Sequence, residues 1–468
     1  MSNNQAAIGY LPDEKPPVWK LLLYALQQVI VMFPATVTVA IITGFHISTT
    51  IFASGFATLC FLFVTRGKIP LYYGSSFSYV AAIGALMASD ALSHLTQNDR
   101  ISIAQFGIIM SGLVSVAAGL IVKAFGHKTI EKILPASITG PIAMVIGLTL
   151  AGTALSDANS IVIQKNATGN VLAVSEELVP FATNMAWIVA LVTLLSTILL
   201  SVFLKGVLGQ LPILFGPVIG CLTAFIIKLA TGVDLFQLLP EGASTSGFFA
   251  LPTFTLPKPS ILAVAAIMPI AIATIPESTA HVYQLDIYVN DLAKKKNSNK
   301  EYNIAEKLWL NLIGDGIGDM VAGFVGGPAG TNYGENISVM AITRVFSVPV
   351  LMVAAVIAMV IACFTPLINA IYSIPASVIG GLEIYLFGAI AAQGIAIMVE
   401  KKVDLFSAKN ISIIATIMII GLGGQYAFGG NIPFFGVNVP SVAGAAIFGI
   451  LLNLVFTIGE KLFTKKSD

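Results

Sequence analysis

Apolar residues run in long, nearly unbroken blocks along this chain, each closed by a cluster of Gly, Pro, Asn or charged residues. They lack the one-sided spacing of a water-exposed helix. Since about 20 apolar residues carry a helix across the hydrocarbon of a bilayer, the blocks predict spans at 18–42, 46–65, 71–89, 102–124, 130–153, 183–203, 210–230, 260–290, 306–325, 331–344, 347–370, 376–398, 409–427 and 440–462. That makes fourteen. The third and tenth are atypical, because IPLYYGSSF and GTNYGEN open with residues suited to extended backbone. Each predicts a short strand leading into a shortened helix. The connecting stretches 155–182, 231–258 and 291–305 are too short to hold a domain.

Charge tests this count, because Lys and Arg gather on the cytoplasmic side of a membrane. With the N-terminus inside, 20 of them fall inside, Lys128, Lys294 to Lys296, Lys401, Lys402, Lys465 and Lys466 among them, against 4 outside: Arg100, Lys165, Lys228 and Lys258. The asymmetry predicts an even number of spans with both termini cytoplasmic. The polar N-terminus, MSNNQAAIGYLPDEKPP, has no apolar signal core, and Trp19 opens the first span.

Composition agrees with a polytopic membrane protein: 56% of the 468 residues are hydrophobic, 10% are charged, and mean hydropathy is +0.90. A net charge of +1 offers no field for nucleic acid. Cys60, Cys221 and Cys363 lie in apolar runs without ligand-like spacing, so no disulfide, metal centre or cofactor is expected.

Three tetrapeptides recur in order, each seven spans apart. Tyr73-Gly74-Ser75-Ser76 echoes Tyr333-Gly334-Glu335-Asn336, Leu134-Pro135-Ala136-Ser137 echoes Ile374-Pro375-Ala376-Ser377, and Phe33-Pro34-Ala35-Thr36 echoes Ile275-Pro276-Glu277-Ser278. Seven is odd, so the halves run through the membrane in opposite senses. The expected fold is all-α and polytopic, fourteen transmembrane spans as two inverted repeats of seven, with short β-strands in spans 3 and 10.

Ionisable groups inside hydrocarbon are rare and face a partner, a cavity or a substrate. Glu277 and His281, four apart, share a helix face. They form either a structural hydrogen bond or a substrate acceptor beside a protonatable partner. Glu335 follows the glycine-rich GFVGGPAG. Asn336 either joins it in the site or satisfies backbone freed by the glycines. Two carboxylates from different spans suit a planar ligand with two N–H groups; backbone N–H groups at Gly334 and near Ser76 and Phe77 can meet its carbonyl oxygens, and Phe77 can stack on its ring. Asp315 is expected to brace the site, with Asp319 near a surface. Gly316-Ile317-Gly318-Asp319 formally matches an intramembrane aspartyl protease signature, but the Tyr-Asp and Pro-Ala-Leu elements of that class are missing. Gln27 and Gln28 either line the site or bond between helices.

TNYGENISVMAITRVFS, LYYGSSFSY, LQQVIVMFPATV, IPESTAH and GIAIMVEKKVDLFSAKN together resemble the nucleobase cation symporter-2 family of uracil, xanthine and ascorbate permeases, closest to its bacterial uracil branch. The resemblance implies proton-coupled uptake of a nucleobase, a homodimer in the cytoplasmic membrane, and no enzymatic activity. It implies a core domain from 18–124 and 260–370 and a gate domain from 130–230 and 376–462. It places Glu277 and Glu335 on the family's substrate-binding carboxylates, His281 on its proton-linked histidine, Phe77 on its aromatic, and Gly334 on its backbone donor. Ser76 and Tyr333 join the substrate set, while Asn336, Thr343, Arg344, Asp315 and Gln28 support it. The chain departs from the family pattern at Ser338, where a glycine is usual, at Gln28, where a histidine is usual, and in a longer approach to Tyr333.

Overall fold

The structure, a computed structural model, describes residues 9–126, 132–161, 164–165, 171–172, 178–205, 211–239, 247–298, 300–434 and 437–464. Lys128, Lys465 and Lys466, the first residues of the spans expected from 130 and 210, and parts of the loops 155–182, 231–258 and 291–305 lie outside the described residues.

In chain order the elements are α1 (Val18–Thr43), α2 (Ile47–Val64), β1 (Tyr73–Ser75), a 3₁₀ turn (Phe77–Tyr79) running into α3 (Val80–Met87), α4 (Gln97–Phe125), α5 (Ala136–Thr149), α6 (Ala151–Ala158), β2 (Gln164–Lys165), β3 (Val171–Leu172), α7 (Val179–Phe203) and α8 (Pro212–Thr231). There follow α9 (Ile261–Ile267), α10 (Ala271–Lys295), α11 (Leu308–Val325), β4 (Gly330–Asn332), α12 (Gly334–Thr343), α13 (Val348–Ile361), α14 (Thr365–Tyr372), α15 (Ala376–Glu400), α16 (Ala408–Phe428), β5 (Asn431–Phe434), β6 (Val437–Pro440) and α17 (Ser441–Thr464). Among the described residues, 11 helical stretches are long and apolar enough to cross a membrane. The fold is an all-α polytopic membrane protein.

Proline breaks two expected spans. The one expected over 347–370 stops at Ile361 and restarts at Thr365, with Pro366 in the first turn of α14, where its missing N–H is harmless. The one expected over 260–290 is interrupted by a 3₁₀ turn at Met268–Ile270 around Pro269 and then runs on to Lys295.

Residue contacts divide the chain into two compact units. The first, residues 1–149, 253–361 and 391–468, contains the strand pair that the sequence pattern anticipates. β1 and β4 are antiparallel, with Tyr73 opposite Asn332, Gly74 opposite Thr331 and Ser75 opposite Gly330. Flanking bonds from Ser76 N to Ala329 O and from Tyr333 N to Tyr72 O extend the ladder. Extended backbone among membrane helices needs every polar group satisfied. Here the outer edges of the pair are met by side chains. Ser54 and Thr58 of α2 donate to Tyr73 O, each at 2.9 Å, and Thr58 accepts from Tyr73 N at 3.0 Å. On the other edge Gly330 N donates to Asp319 at 2.7 Å.

The glycines of IGDGIGDM explain how α11 fits beneath this pair. A Cβ at Gly314 would meet the Phe61 ring of α2 at 2.7 Å, one at Gly316 would meet Val116 of α4, also at 2.7 Å, and one at Gly318 would meet the Tyr73 ring at 2.7 Å. Each glycine lets a different neighbour approach, so the run is a packing device and not a protease motif.

The second unit, residues 150–252 and 362–390, packs α7 against α8 and the start of α15. Ala182, Ala186 and Val189 of α7 meet Ala224 and Ile227 of α8 and Val378 of α15 in one apolar cluster. The buried Thr193 and Thr197 hydroxyls donate back to carbonyls one turn earlier, at 2.8 and 2.7 Å, so they enter this interface without unmet donors.

Candidate substrate site

The strand pair aims two short helices. Ser76 caps the helix over Phe77–Met87, accepting from Ser78 N at 3.2 Å, and Tyr333 occupies the equivalent position ahead of α12. Helix N-termini carry unpaired N–H groups and partial positive charge. Counted from these helix starts, Phe77 corresponds to Gly334 and Ser78 to Glu335. The tetrapeptide echo, which pairs Glu335 with Ser75, is therefore out of register by three residues. The two Tyr-Gly pairs serve different ends. Gly74 makes room for the Tyr333 ring, whereas a Cβ at Gly334 would lie 2.9 Å from His281 Nε2.

Glu277 and His281 project from α10 toward these helix starts. Ser78 Oγ donates to Glu277 Oε2 at 3.2 Å, and Glu335 lies near enough for its charge to act on Glu277. Glu277, Glu335, Phe77, Ser78 and Gly334 are half-buried, while Ser76, His281, Tyr333 and Asn336 are buried around them. His281 rests against the Asn332 backbone with Nδ1 lacking a partner. The Tyr333 hydroxyl shares a 2.8 Å bond with Thr36 of α1, and its ring stacks on Tyr72 with centroids 6.5 Å apart.

The supporting residues divide into two sets. Asn336 Nδ2 donates to both Gln28 O (3.0 Å) and Gln28 Oε1 (2.8 Å), tying α12 to α1, so Gln28 bonds between helices. Asp315 Oδ2 accepts from Asn311 at 2.9 Å, and Asn311 accepts in turn from Asn332 at 3.2 Å, which couples α11 to the end of β4. Thr343 and Arg344 stand apart from the carboxylates. Thr343 bonds back to Val339 at 2.8 Å, and exposed Arg344 ends α12 with φ +58°, its carbonyl accepting from Tyr10 N.

One expectation is overturned. Asp319 is not near a surface: it is 2% exposed and accepts from the Tyr73 hydroxyl at 2.6 Å as well as from Gly330 N, locking β1 and β4 onto α11. Sequence reasoning also passed over Ser78, Thr36 and Tyr73. Ser78 was legible in principle, as the last serine of YYGSSFS. Thr36 and Tyr73 carried no local signal, because each acts on a residue more than 200 positions away.

A family model described as the Permease family matches residues 19–430. The uracil permease of Bacillus caldolyticus is 34% identical over 450 residues, covering 95% of this chain and 93% of that protein. The uracil permease of Bacillus subtilis (strain 168) is 33% identical over 462 residues, covering 97% and 96%. The putative pyrimidine permease RutG of Escherichia coli (strain K12) is 33% identical over 452 residues, covering 95% and 91%. Among solved structures, the transmembrane domain of the cyanobacterial bicarbonate transporter BicA superposes with a TM-score of 0.57 at 16% identity, covering 93% of this chain and 97% of that one. The murine Solute Carrier 26 family member A9 anion transporter gives 0.61 at 14%, covering 98% and 73%. At such identities these structures share the fold alone. The strand pair, the two helix starts beside it and the sequence match over nearly the whole chain lead to one assignment: this protein belongs to the permease family of secondary transporters and is not an enzyme.

Proposed function

We propose that this permease takes up a nucleobase, uracil in the first place, together with a proton. The observation that carries the reading is Glu277 of α10, bonded to Ser78 at the start of the Phe77 helix, with Glu335 opening α12 near enough for its charge to act on Glu277. Carboxylates accept hydrogen bonds and do not donate. A pyrimidine with two ring N–H groups supplies the donors, its carbonyl oxygens take the N–H groups near Phe77 and Gly334, and the Phe77 ring covers its face. Ser76 and Tyr333 shape the helix starts, while Gln28, Asn336 and Asp315 brace them; Thr343 and Arg344 end α12. His281 and Glu277 exchange the coupled proton. The relatives named as uracil permeases support the choice of uracil; xanthine or another purine is the second reading. An anion substrate, as in the bicarbonate transporter of like fold, is disfavoured by a site whose charged side chains are acidic.

The finer architecture belongs to the same reading. The helices Phe77–Met87, Gly334–Thr343 and Val348–Ile361, added to the 11 longer stretches, make fourteen segments. This supports two inverted repeats of seven, with the strands in the third and tenth. In it both termini are cytoplasmic, 18–124 and 260–370 form a core that holds the solute, 130–230 and 376–462 form a gate, and the working state is a homodimer. Alternating access moves core against gate.

The test is Glu277→Gln, assayed for uracil accumulation in energised vesicles. Accumulation is expected to vanish. If the variant still concentrates uracil against its gradient, the coupling role is wrong.

A further inference from the structure

The second unit holds a buried acidic pair that the transport site does not use. Glu383, seven residues into α15, is 0% exposed, and neither of its carboxylate oxygens has a hydrogen-bond donor. What faces it is another acceptor, the carboxylate of half-buried Asp157 at the end of α6. The backbone enforces this meeting. A Cβ at Gly380, one turn before Glu383, would meet the Asp157 carbonyl carbon at 2.5 Å and Ala158 Cα at 2.6 Å, so α6 ends directly on α15. On the neighbouring face, a Cβ at Gly381 would clash with the Ala190 carbonyl oxygen of α7, a helix with no Asp, Glu, Lys, Arg or His. Lys228 of α8 is engaged with Asp234 at 2.6 Å, and the Tyr385 hydroxyl of α15 is bonded to Ser201 at 2.7 Å. Among the described residues no cationic side chain faces the pair.

Two ionised carboxylates face to face between packed helices repel, and buried Glu383 lacks a donor. A single proton removes both faults, because a protonated carboxyl donates to the carboxylate opposite. We propose that Glu383 and Asp157 hold one proton between them, making a proton site in this permease separate from Glu277 and His281. Glu383 has no exposed surface, so the proton enters and leaves by way of Asp157. Because α6 and α15 close on each other through this proton, its loss places two like charges across their contact. The second unit thereby carries its own protonation step. The site stands whichever solute the permease carries.

Infrared difference spectroscopy of the full-length protein in lipid nanodiscs tests this. At neutral pH the wild type should show the carbonyl band of a protonated carboxylic acid, retained in Glu277→Gln and lost in Glu383→Gln. A spectrum unchanged by Glu383→Gln overturns the proposal. So does a stabilisation of the wild type by sodium over N-methylglucamine that Glu383→Gln lacks, since a metal cation would then occupy the gap. A second measurement needs no variant: dicyclohexylcarbodiimide modifies protonated carboxyls in apolar surroundings, and peptide mapping reads the target. Modification of Glu383 at neutral pH that disappears at alkaline pH is expected. An unmodified Glu383 at every pH refutes the shared proton.

Discussion

Gly334→Ala isolates the geometry of the site from its charges. The added Cβ would lie 2.9 Å from His281 Nε2, with two ring carbons at 3.6 Å, whereas ordinary carbon contacts begin near 3.4 Å. Relief therefore needs a separation of about 0.5 Å. His281 is only 8% exposed, so its ring has little room to swing and the first turn of α12 must share the shift. That turn carries Glu335, while His281 shares α10 with Glu277. One methyl group thus changes the spacing of the two carboxylates. Overpacking of this size costs about 1–3 kcal/mol. If half of it appears in binding, uracil affinity falls roughly 2- to 12-fold. Equilibrium binding of radiolabelled uracil to detergent-purified protein measures this without requiring transport. The control is a cycle with His281→Ala, which removes the obstructing ring: the penalty of Gly334→Ala should shrink by about 0.5 kcal/mol or more in that background. Strictly additive effects, or an unaltered affinity in the single variant, would refute the steric coupling of α12 to α10.

Three further outcomes are expected. Glu335→Gln replaces an acceptor-only group with one that also donates, so uracil should lose roughly tenfold in affinity and xanthine should compete better; an unchanged competition profile excludes a contact at Glu335. Tyr73→Phe removes the 2.6 Å bond to Asp319, a hydrogen bond to a carboxylate worth about 2 kcal/mol, and should lower the thermal unfolding temperature and speed amide exchange at Gly330, which shares the same acceptor. At the N-terminal strap, hydrogen bonds from Lys300 and Tyr302 hold the Asp13 carboxyl below its ordinary value of 3.8. A depressed carboxylate contributes attachment that is complete above that value and lost as pH falls through the lowered one. Protease access to residues 9–17 should therefore rise only in strongly acidic solution, and at neutral pH in Asp13→Asn; equal access at both pH values would exclude the ion pair as the fastener.

The sequence by itself determined the class of fold and singled out the acidic residues within apolar runs. Runs of about 20 apolar residues have one stable use in water-filled cells, and a carboxylate such as Glu277 or Glu335 inside one needs a reason to be there. The extended character of IPLYYGSSF and GTNYGEN was also legible, since Gly, Tyr and Thr near Pro oppose a helix. What the sequence withheld were the facing relations. In a membrane helix every side is apolar, so periodicity no longer says which side meets a neighbour, and the three glycines of α11 read alike although each admits a different partner. The register of the tetrapeptide echo went astray for a related reason: Tyr-Gly recurs at 73 and 333, but sterics at Gly74 and Gly334 come from unrelated rings. Asp319 closes the strand pair, and Glu383 meets Asp157 across more than two hundred residues of chain. Such contacts are fixed by how closely backbones approach, and that distance is set only when the helices pack.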